Sequence, residues 1–490
     1  MPIDKQLAPL YEALAAHAGL RPNSYHVPGH KQRAEWNDPQ SAEFYRALLP
    51  LDVTELADTD DLHHPQGPLA EAQRLAAQCF GAEETSFLVG GSTSGNLAMI
   101  LGTGSPGDLY IVQRNVHKSI IHGLMLAGAR AVMLAPQIDS RSGLAVIPPE
   151  SSIQAALERY PAARGVILST PNYYGMASSL DRIVHLAHKR VVPVLVDEAH
   201  GAHLGFHPAF PESSLRAGAD VVVQSTHKML SAMTMGAMLH MQGDIVDREA
   251  IKQALRMVQS SSPSFPILTS LDLARRQLHT SGAAAFEPAL EAVRIVTDRL
   301  EETPFRAIGY GSFASDWIRY DPLKLVLFDQ DGKLSGTELR DELAERNCIA
   351  EMADDRYAVL AFGPGSRRTD GEALLEGLRD ISENIREFTP NRSKQTTAGE
   401  TEESQPETDV PEPVTFRRGT LSAKPVRLED SEGLIAGEWV IPYPPGIPVL
   451  YPGETITKNK IVELLRWRAS GAQIQGALDA ALEHIVVQGE

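Results

Sequence analysis

The chain has 490 residues, 43% of them hydrophobic, which is enough for about three domains of ~150 residues with sizeable cores. Its formal net charge of −18 argues against broad binding to nucleic acids or anionic membranes, because such binding needs basic surface. With only two cysteines, Cys79 and Cys348, it has neither a disulfide framework nor a Cys-rich zinc site. The N-terminus lacks a signal-peptide pattern, and no apolar run approaches the ~18 residues of a transmembrane helix. We therefore expect a soluble, cytoplasmic protein that binds neither nucleic acid nor membrane.

From about residue 69 the sequence alternates between helical and strand patterns. Helices are predicted at residues 69–80, 95–101, 119–126, 148–160 and 180–189. Short, almost wholly apolar strands are predicted at residues 85–89, 109–112, 131–134, 165–168, 192–196 and 220–223. Such strands, separated by helices, indicate a mainly parallel sheet that is covered on both faces. Ligands of these sheets bind beyond the carboxyl ends of the strands.

Beyond about residue 245 the pattern changes to that of a smaller α+β region. Helices are predicted at residues 244–257, 267–300 (with breaks), 336–346 and 372–388, and strands at residues 323–328 and 357–362. Residues 391–413 are rich in Glu, Thr, Ser and Pro, which predicts a flexible acidic linker. The expected parts are an N-terminal arm with active-site loops (1–65), a large domain (66–265), connecting helices with a small α+β domain (266–390), the linker, and a C-terminal domain (414–490).

A lysine follows the strand predicted near residues 219–223, in the run Gln224-Ser225-Thr226-His227-Lys228. Lysine at a strand end can condense with an aldehyde when part of its population is neutral, a state that desolvation and nearby positive charge promote. Ser225 and His227 are candidate phosphate ligands. An exposed surface lysine is the alternative, and for a lone lysine it is the commoner one.

A carboxylate ends another apolar strand, in the run Val196-Asp197-Glu198-Ala199-His200. Asp197 in this position can hold a pyridine nitrogen protonated, which makes the ring an electron sink. Ala199 is small enough to lie under a flat ring, and His200 can reach a phenolic oxygen. The alternative is an aspartate that caps the next helix.

Two further polar segments follow strands. In residues 90–96, backbone N–H groups at a helix start and the hydroxyls of Ser92, Thr93 and Ser94 form a candidate anion site. In residues 114–119, His117 can stack on the free face of a ring, with a helix-capping or core histidine as the alternative. Residues 102–107 match the letters G-x-G-x-x-G, but they follow a helix and precede a strand, which is the reverse of the dinucleotide fingerprint.

Three histidines, His200, His203 and His207, are spaced closely enough to suggest a metal site. Glycines interrupt any regular helix there, and no carboxylate completes a familiar ligand spacing, so we expect no metal. Two polar segments, residues 25–31 and 60–65, precede the large domain. They are either ordinary loops or segments that reach into a partner's active site.

Taken together, seven ordered motifs resemble the bacterial Orn/Lys/Arg decarboxylase family, which is a fold-type I family. The motifs are HVPGHK, DVTELADTDDLHHPQG, GSTSGN, RNVHKS, PVLVDEAHGAH, QSTHK and PYPPGIPVLYPGE. The chain is similar to the shorter members, which lack the N-terminal wing domain of the acid-inducible enzymes. The resemblance covers nearly the whole chain except residues 391–413.

The resemblance implies an α/β fold, with a fold-type I PLP-dependent transferase-like large domain, a mainly parallel sheet of the seven-stranded type, and smaller α+β C-terminal domains. It implies pyridoxal 5′-phosphate (PLP) as cofactor, held as a Schiff base on Lys228. Asp197 would pair with the pyridine nitrogen and His117 would stack on the ring. The implied catalytic residues are Lys228, Asp197, His117 and His200, although the large inducible members carry Trp at position 200. The implied cofactor-binding residues are Ser92, Thr93, Ser94, His117, Asp197, Ala199, His200, Ser225, His227 and Lys228.

The activity implied is decarboxylation of arginine, lysine or ornithine to CO2 and agmatine, cadaverine or putrescine, as in polyamine biosynthesis. The family implies a homodimer or higher homo-oligomer with shared active sites, which the C-terminal segment 443–448 and Glu454 help to close. An aminotransferase with Arg367 or Arg368 as carboxylate ligand is the first alternative, and a PLP-binding non-enzymatic homologue is another. A cysteine desulfurase is disfavoured, because Cys348 is predicted to begin a buried strand rather than to lie in a mobile loop.

Overall fold

The structure, a computed structural model, describes residues 4–33, 36–315, 317–384, 410–416, 423–443, 446–469 and 473–489. The helices are α1 (Pro9–Leu20), α2 (Pro39–Tyr45), α3 (Pro68–Phe80), α4 (Gly91–Thr103), α5 (Lys118–Ala127), α6 (Glu150–Arg159), α7 (Asp181–His188), α8 (Thr226–Met229), α9 (Arg248–Val258), α10 (Phe265–Ser281), α11 (Glu287–Thr297), α12 (Gly336–Glu345), α13 (Arg368–Asn384) and α14 (Lys458–Ala469). The strands are β1 (Glu84–Leu88), β2 (Leu109–Gln113), β3 (Arg130–Leu134), β4 (Gly165–Ser169), β5 (Met176–Ala177), β6 (Val194–Asp197), β7 (Val221–Gln224), β8 (Ala237–Met241), β9 (Phe305–Ala307), β10 (Arg319–Tyr320), β11 (Lys324–Asp329), β12 (Met352–Ala353), β13 (Ala358–Ala361), β14 (Val414–Thr415), β15 (Ala423–Arg427), β16 (Ile441–Tyr443), β17 (Gln473–Gln475) and β18 (His484–Gln488).

The first compact unit comprises Met1–Thr103, Ser179–Val184 and Pro193–Glu287. Its strands lie in the order β1-β8-β7-β6. Strands β6 and β7 are parallel, whereas β8 is antiparallel to both of its neighbours, β7 and β1. A core cluster packs α1, α3 and α10 against β1, with Leu10 and Phe87 among its fully buried members.

Helix α4 lies unusually close to strands β1 and β7. A Cβ atom added at Gly95 would lie 2.6 Å from Val223 Cγ1 and 2.9 Å from Leu88 Cδ1, which is closer than carbon atoms pack. Only glycine therefore lets the helix approach the strands to this distance. The approach brings the first turns of α4 beside the end of β7.

Strand β1 pairs along one side with β8, and two glutamine side chains bond to its other side. Gln73 Oε1 of α3 accepts a hydrogen bond from Phe87 N at 2.8 Å. Gln259 Oε1, at the end of α9, accepts one from Val89 N at 2.9 Å. These side chains satisfy backbone amides that a further strand would otherwise bond.

The second compact unit comprises Gly104–Ser178, His185–Val192 and Pro288–Glu490. Its larger set of strands has the order β4-β2-β3-β14, with β4, β2 and β3 parallel and β14 antiparallel to β3. A four-stranded antiparallel sheet has the order β12-β13-β11-β9 and packs a core around Val326, Phe328 and Val359. Three ribbons, β5 with β10, β15 with β18 and β16 with β17, are also antiparallel.

Most elements lie within a few residues of their predicted positions, but three predictions are wrong in detail. Helix α4 begins at Gly91 rather than residue 95, so the candidate anion loop forms the first turns of the helix itself. Helix α6 begins at Glu150 rather than residue 148, and Pro149 is its N-cap residue. Cys348 does not begin a buried strand: Asn347 turns the chain with φ 63°, Ile349 is exposed, and the next strand begins at Met352.

Most of the predicted linker, residues 391–409, lies outside the described residues, as do residues 385–388 of the last predicted helix before it. The five-part division of the sequence stays a prediction. Within the described part of the chain, no helix combines the length and the apolar character needed to cross a membrane.

Candidate active site

Lys228 lies just beyond the carboxyl end of β7. The strand is a run of buried β-branched valines, and it ends where Gln224 and Ser225 bring in polar side chains. Ser225 is the N-cap residue of the short helix α8, and its carbonyl accepts a hydrogen bond from Lys228 N at 3.1 Å. The amine Nζ of Lys228 lies 3.1 Å from His200 Nε2. The structure therefore brings together a lysine and a histidine that the sequence selected separately.

Asp197 is the last residue of β6 and is only 3% exposed. Its carboxylate accepts hydrogen bonds from Asn96 Nδ2 at 2.9 Å and from Ala199 N at 3.2 Å. Burial raises the pKa of Asp197, and the charge of Lys228 and the bond from Asn96 act in the opposite direction. A cation placed against this carboxylate would meet an acceptor that is already oriented and little screened by water.

The first turn of α4 carries the groups that the sequence predicted to bind an anion. Gly91 adopts φ 69° and its N–H donates to Met235 O at 2.9 Å, which fixes the turn before the helix. Ser225 Oγ donates to Ser92 Oγ at 2.8 Å, so hydroxyls from the ends of β1 and β7 meet beside the helix start. Helix N-termini attract anions through their free N–H groups and dipole.

The remaining predicted phosphate ligands differ in their surroundings. Thr93 is exposed, whereas Ser94 is buried and its Oγ donates to Gly91 O at 2.8 Å, inside the first turn of the helix. His227 contacts Gly236 O through both its backbone N–H (3.1 Å) and its Nδ1 (2.9 Å). These contacts hold the turn that carries Lys228 in place.

His117 lies in the second compact unit, as the N-cap residue of α5. Its Nδ1 accepts a hydrogen bond from Ser119 N at 3.2 Å and lies 2.9 Å from Ser119 Oγ. The helix-capping alternative is therefore observed. It does not conflict with stacking, because a cap uses an edge of the ring and stacking uses a face. Stacking of His117 on a cofactor ring stays a prediction.

The three clustered histidines have separate surroundings. His203 packs its ring edge-on against Phe210, with centroids 4.8 Å apart. His207 Nε2 lies 3.1 Å from Glu287 Oε1 at the surface. Among the residues that the structure describes, no three His, Cys, Asp or Glu side chains group as metal ligands.

Two residues beside the site were not given a role from the sequence. Asn96 bonds directly to Asp197, and its spacing of four from Ser92 places both on one face of α4, which was the available signal. Glu198 is buried and accepts from Ser213 Oγ (2.7 Å), Ser214 N (2.6 Å) and Gln224 Nε2 (2.7 Å). Burial raises the pKa of Glu198. Because its donors are distant in sequence, no local pattern could have identified this role.

Comparison with known proteins shows similarity over most of the chain. Residues 8–308 match the model of the Orn/Lys/Arg decarboxylase major domain, and residues 410–474 match that of the Orn/Lys/Arg decarboxylase C-terminal domain. The chain is 40% identical over 482 residues to the uncharacterized protein YaaO of Bacillus subtilis, covering 98% of each chain. It is 35% identical over 485 residues to the arginine decarboxylase of the same organism, covering 98% of this chain and 97% of the relative. The structure of lysine decarboxylase A from Pseudomonas aeruginosa superposes with a TM-score of 0.80 at 22% identity, covering 99% of this chain and 81% of the other.

The fold and the strand-end cluster define an α/β protein of fold-type I, with a mainly parallel large sheet and smaller C-terminal sheets, which confirms the predicted fold class. The chain belongs to the Orn/Lys/Arg decarboxylase family. It is accordingly an enzyme of the decarboxylase class, and it matches short relatives over almost their whole length.

Proposed function

We propose that this enzyme decarboxylates a basic L-amino acid with the help of PLP, and that the amino acid is arginine. The observation that carries the cofactor assignment is the donor set at the ends of β6 and β7. A buried carboxylate, a lysine amine and an anion-binding helix start lie in one compact unit. These groups match the pyridine nitrogen, the aldehyde and the phosphate of PLP. When bound, PLP supplies an aldehyde for amines and a ring that accepts the electron pair of the Cα–carboxylate bond.

Each side chain then has a physical task. Lys228 Nζ would hold the aldehyde of PLP, and His200 Nε2, 3.1 Å from that amine, could accept a proton from it or return it. Asp197 keeps the ring nitrogen protonated, and the N–H groups of Asn96 and Ala199 fix the orientation of its carboxylate. Because the carboxylate is buried, its attraction for the ring cation is only weakly screened.

The phosphate and the free ring face have their own partners in this proposal. The N-terminus of α4, with the paired hydroxyls of Ser92 and Ser225, binds the phosphate. Thr93, Ser94 and His227 are the other residues proposed to bind the phosphate. His117 would stack on a face of the ring.

We propose arginine rather than lysine because this chain is more similar in sequence to an arginine decarboxylase than to the solved lysine decarboxylase. The relative named arginine decarboxylase is 35% identical over nearly the whole chain. The solved lysine decarboxylase shares 22% identity, a level at which the likeness supports the fold alone. Substrate choice therefore follows the closer sequence match.

The aminotransferase alternative loses support from the two candidate arginines. Arg368 is 63% exposed and forms surface ion pairs with Glu291 and Glu372. Arg367 is exposed beside it and its N–H donates to Asp370. Neither resembles the sequestered arginine that would bind a substrate carboxylate.

The test is a decarboxylation assay on purified protein loaded with PLP. Arginine, lysine and ornithine are supplied separately, each with and without an α-keto acid as amino acceptor, and CO2, the amine product and any new keto acid are measured. We expect CO2 and agmatine in equal amounts from arginine, with kcat/KM at least tenfold above the other two. Formation of keto acid without CO2 would establish an aminotransferase, and no turnover with bound PLP would establish a non-enzymatic homologue.

We also propose that the enzyme works as a homodimer, or a higher homo-oligomer, with shared active sites. Exposed large apolar side chains concentrate in residues 20–45, where Tyr25 is 92% and Phe44 is 82% exposed. Within it, Lys31 Nζ donates to His26 O at 2.5 Å, which joins residues 26 and 31 locally. Apolar side chains that a fold exposes together favour a protein interface. Light scattering should give the mass of a dimer or a larger oligomer for the wild type, and Tyr25→Asp should shift this mass towards that of the monomer. A monomeric mass for the wild type would refute the proposal.

A further inference from the structure

The residues around His117 are attached to the C-terminal part of the same compact unit. Arg114 directly follows β2, and its guanidinium forms a two-bond fork with Glu454: Nε to Oε1 and Nη2 to Oε2, both at 2.7 Å. Its Nη1 donates to Pro448 O at 2.9 Å and its Nη2 to Val449 O at 2.8 Å. The Tyr451 ring lies 4.7 Å from the guanidinium carbon. One side chain thus binds a whole seven-residue stretch, 448–454.

A second attachment lies on the other side of His117. Lys118 N donates to Gly446 O at 3.3 Å, and Lys118 Nζ donates to Gln475 Oε1 at 2.9 Å. One turn further along α5, the His122 ring packs edge-on against Trp439 with centroids 5.1 Å apart. Residues 118 and 122 share a helix face, so these contacts attach one face of α5 to the C-terminal residues.

The Arg114–Glu454 fork is the strongest of these attachments. The two side chains are only 17% and 10% exposed, so their attraction is weakly screened. Burial alone would lower the pKa of Arg114, but the Glu454 carboxylate raises it above its ordinary value. Lys460 also pairs with Glu454. Removal of this carboxylate would leave the buried guanidinium without its hydrogen-bonded counter-charge and with only the Glu463 carboxylate acting on it, which is an unfavourable state.

We propose that Glu454 is a positioning residue: by holding Arg114, it fixes the run of residues 114–118 and so the orientation of the His117 ring. The proposal rests on the proposed function, in which His117 stacks on PLP. In this proposal the C-terminal domain contributes to cofactor binding, because it sets the orientation of the side chain that stacks on PLP. Glu454 itself need not touch the cofactor or the substrate.

The test is a double-mutant cycle on the full-length protein, read as the dissociation constant of PLP well below the unfolding temperature. Stacking contacts contribute roughly 0.5–1.5 kcal/mol, so we expect His117→Ala to weaken PLP binding about 2- to 12-fold. Glu454→Gln should weaken it by a similar factor. Adding Glu454→Gln to His117→Ala should cause no further loss, because the two changes remove one interaction.

The matched control is Asp380→Asn, which removes the carboxylate from a surface bond to Arg346 and should change PLP binding less than twofold. If Glu454→Gln does not fold, the Arg114→Met/Glu454→Met pair removes the guanidinium and its carboxylate together, leaves Glu463 as the carboxylate near Lys460, and is read in the same cycle. Hydrogen exchange of residues 114–122 in the PLP-free protein gives a readout without cofactor, and Glu454→Gln should speed it up.

Each outcome separates the two proposals. A wild-type protein that binds no PLP would overturn the proposed function. A wild type that binds PLP, with Glu454→Gln binding it equally well, would overturn the positioning role alone. The positioning role would also be overturned if the two losses of PLP affinity were additive in the double variant. Additive losses would mean that Glu454 affects PLP binding independently of His117.

Discussion

Neutralising Asp197 tests the electron-sink chemistry with little disturbance of the fold. Asp197→Asn keeps the shape of the side chain, and its amide oxygen can still accept a hydrogen bond from Asn96 Nδ2 or Ala199 N. What it removes is the charge, at a site that is 3% exposed. Two unit charges about 4 Å apart attract by about 4 kcal/mol at an effective dielectric constant of ~20. Since about 1.4 kcal/mol corresponds to a tenfold change in rate, we expect kcat to fall roughly 1000-fold.

The assay is CO2 release from arginine with PLP held at saturation, so that weaker cofactor binding does not contribute. Because the lost charge faces the ring rather than the ends of the substrate, we expect KM to change much less than kcat. Asp220→Asn is the matched control: Asp220 is equally buried and accepts a bond from Val194 N at 2.8 Å, at the opposite ends of the same strands. It should keep kcat within a few-fold of the wild type. If Asp197→Asn with bound PLP kept more than a tenth of the wild-type kcat, the electron-sink role of this carboxylate would be refuted.

Three further predictions concern the cofactor, packing and pH. Lys228→Ala should lose both the visible absorbance of bound PLP and the borohydride-reducible adduct. An adduct that persists in this variant would refute the assignment of Lys228 as the Schiff-base lysine. Gly95→Ala should destabilise the protein by about 1–3 kcal/mol, because its Cβ would overlap Val223, whereas Gly19→Ala, with nothing within 4 Å, should leave the melting temperature unchanged or slightly raised. Burial and the charge of neighbouring Arg114 lower the pKa of Lys460 to about 8 from 10.5, so the folded state disfavours this ammonium at pH 7. The free energy of unfolding of the wild type should therefore rise relative to that of Lys460→Met by about 2 kcal/mol between pH 7 and 9.5, because the folded state loses a proton that the unfolded state keeps. If the melting temperatures of the two proteins changed in parallel with pH, the lowered pKa of Lys460 would be contradicted.

The parts of the site that follow strands could be predicted because a strand end is a local signal. A buried apolar run followed by polar residues placed both Asp197 and Lys228 correctly at carboxyl ends, and the structure brings His200 within 3.1 Å of the lysine. The start of α4 was placed four residues late, because Gly91, Ser92 and Ser94 have low helix propensity. Their hydroxyl and glycine chemistry predicts an anion site at this helix start, and that role stays a prediction.

Contacts between distant parts of the sequence could not be predicted. The bond from Asn96 to Asp197 joins residues 101 apart, and the fork between Arg114 and Glu454 joins residues 340 apart. The antiparallel position of β8 between β1 and β7 is likewise a matter of tertiary packing rather than of sequence order. Local periodicity carries no information about such pairs, since it records only which face of an element is buried.

The two glutamines beside β1 have a consequence for how copies of the enzyme meet in a crowded solution. An open strand edge is a template on which another chain can add a strand, and this is a common route to aggregation. Here the amides of Phe87 and Val89 are already bonded to Gln73 and Gln259, which come from helices on either side of the strand in sequence. An incoming strand would have to displace both side chains before it gained a backbone bond. The edge is therefore protected by side-chain hydrogen bonds rather than by a proline in the strand, and loss of either glutamine should first appear as slow aggregation of a protein that still folds.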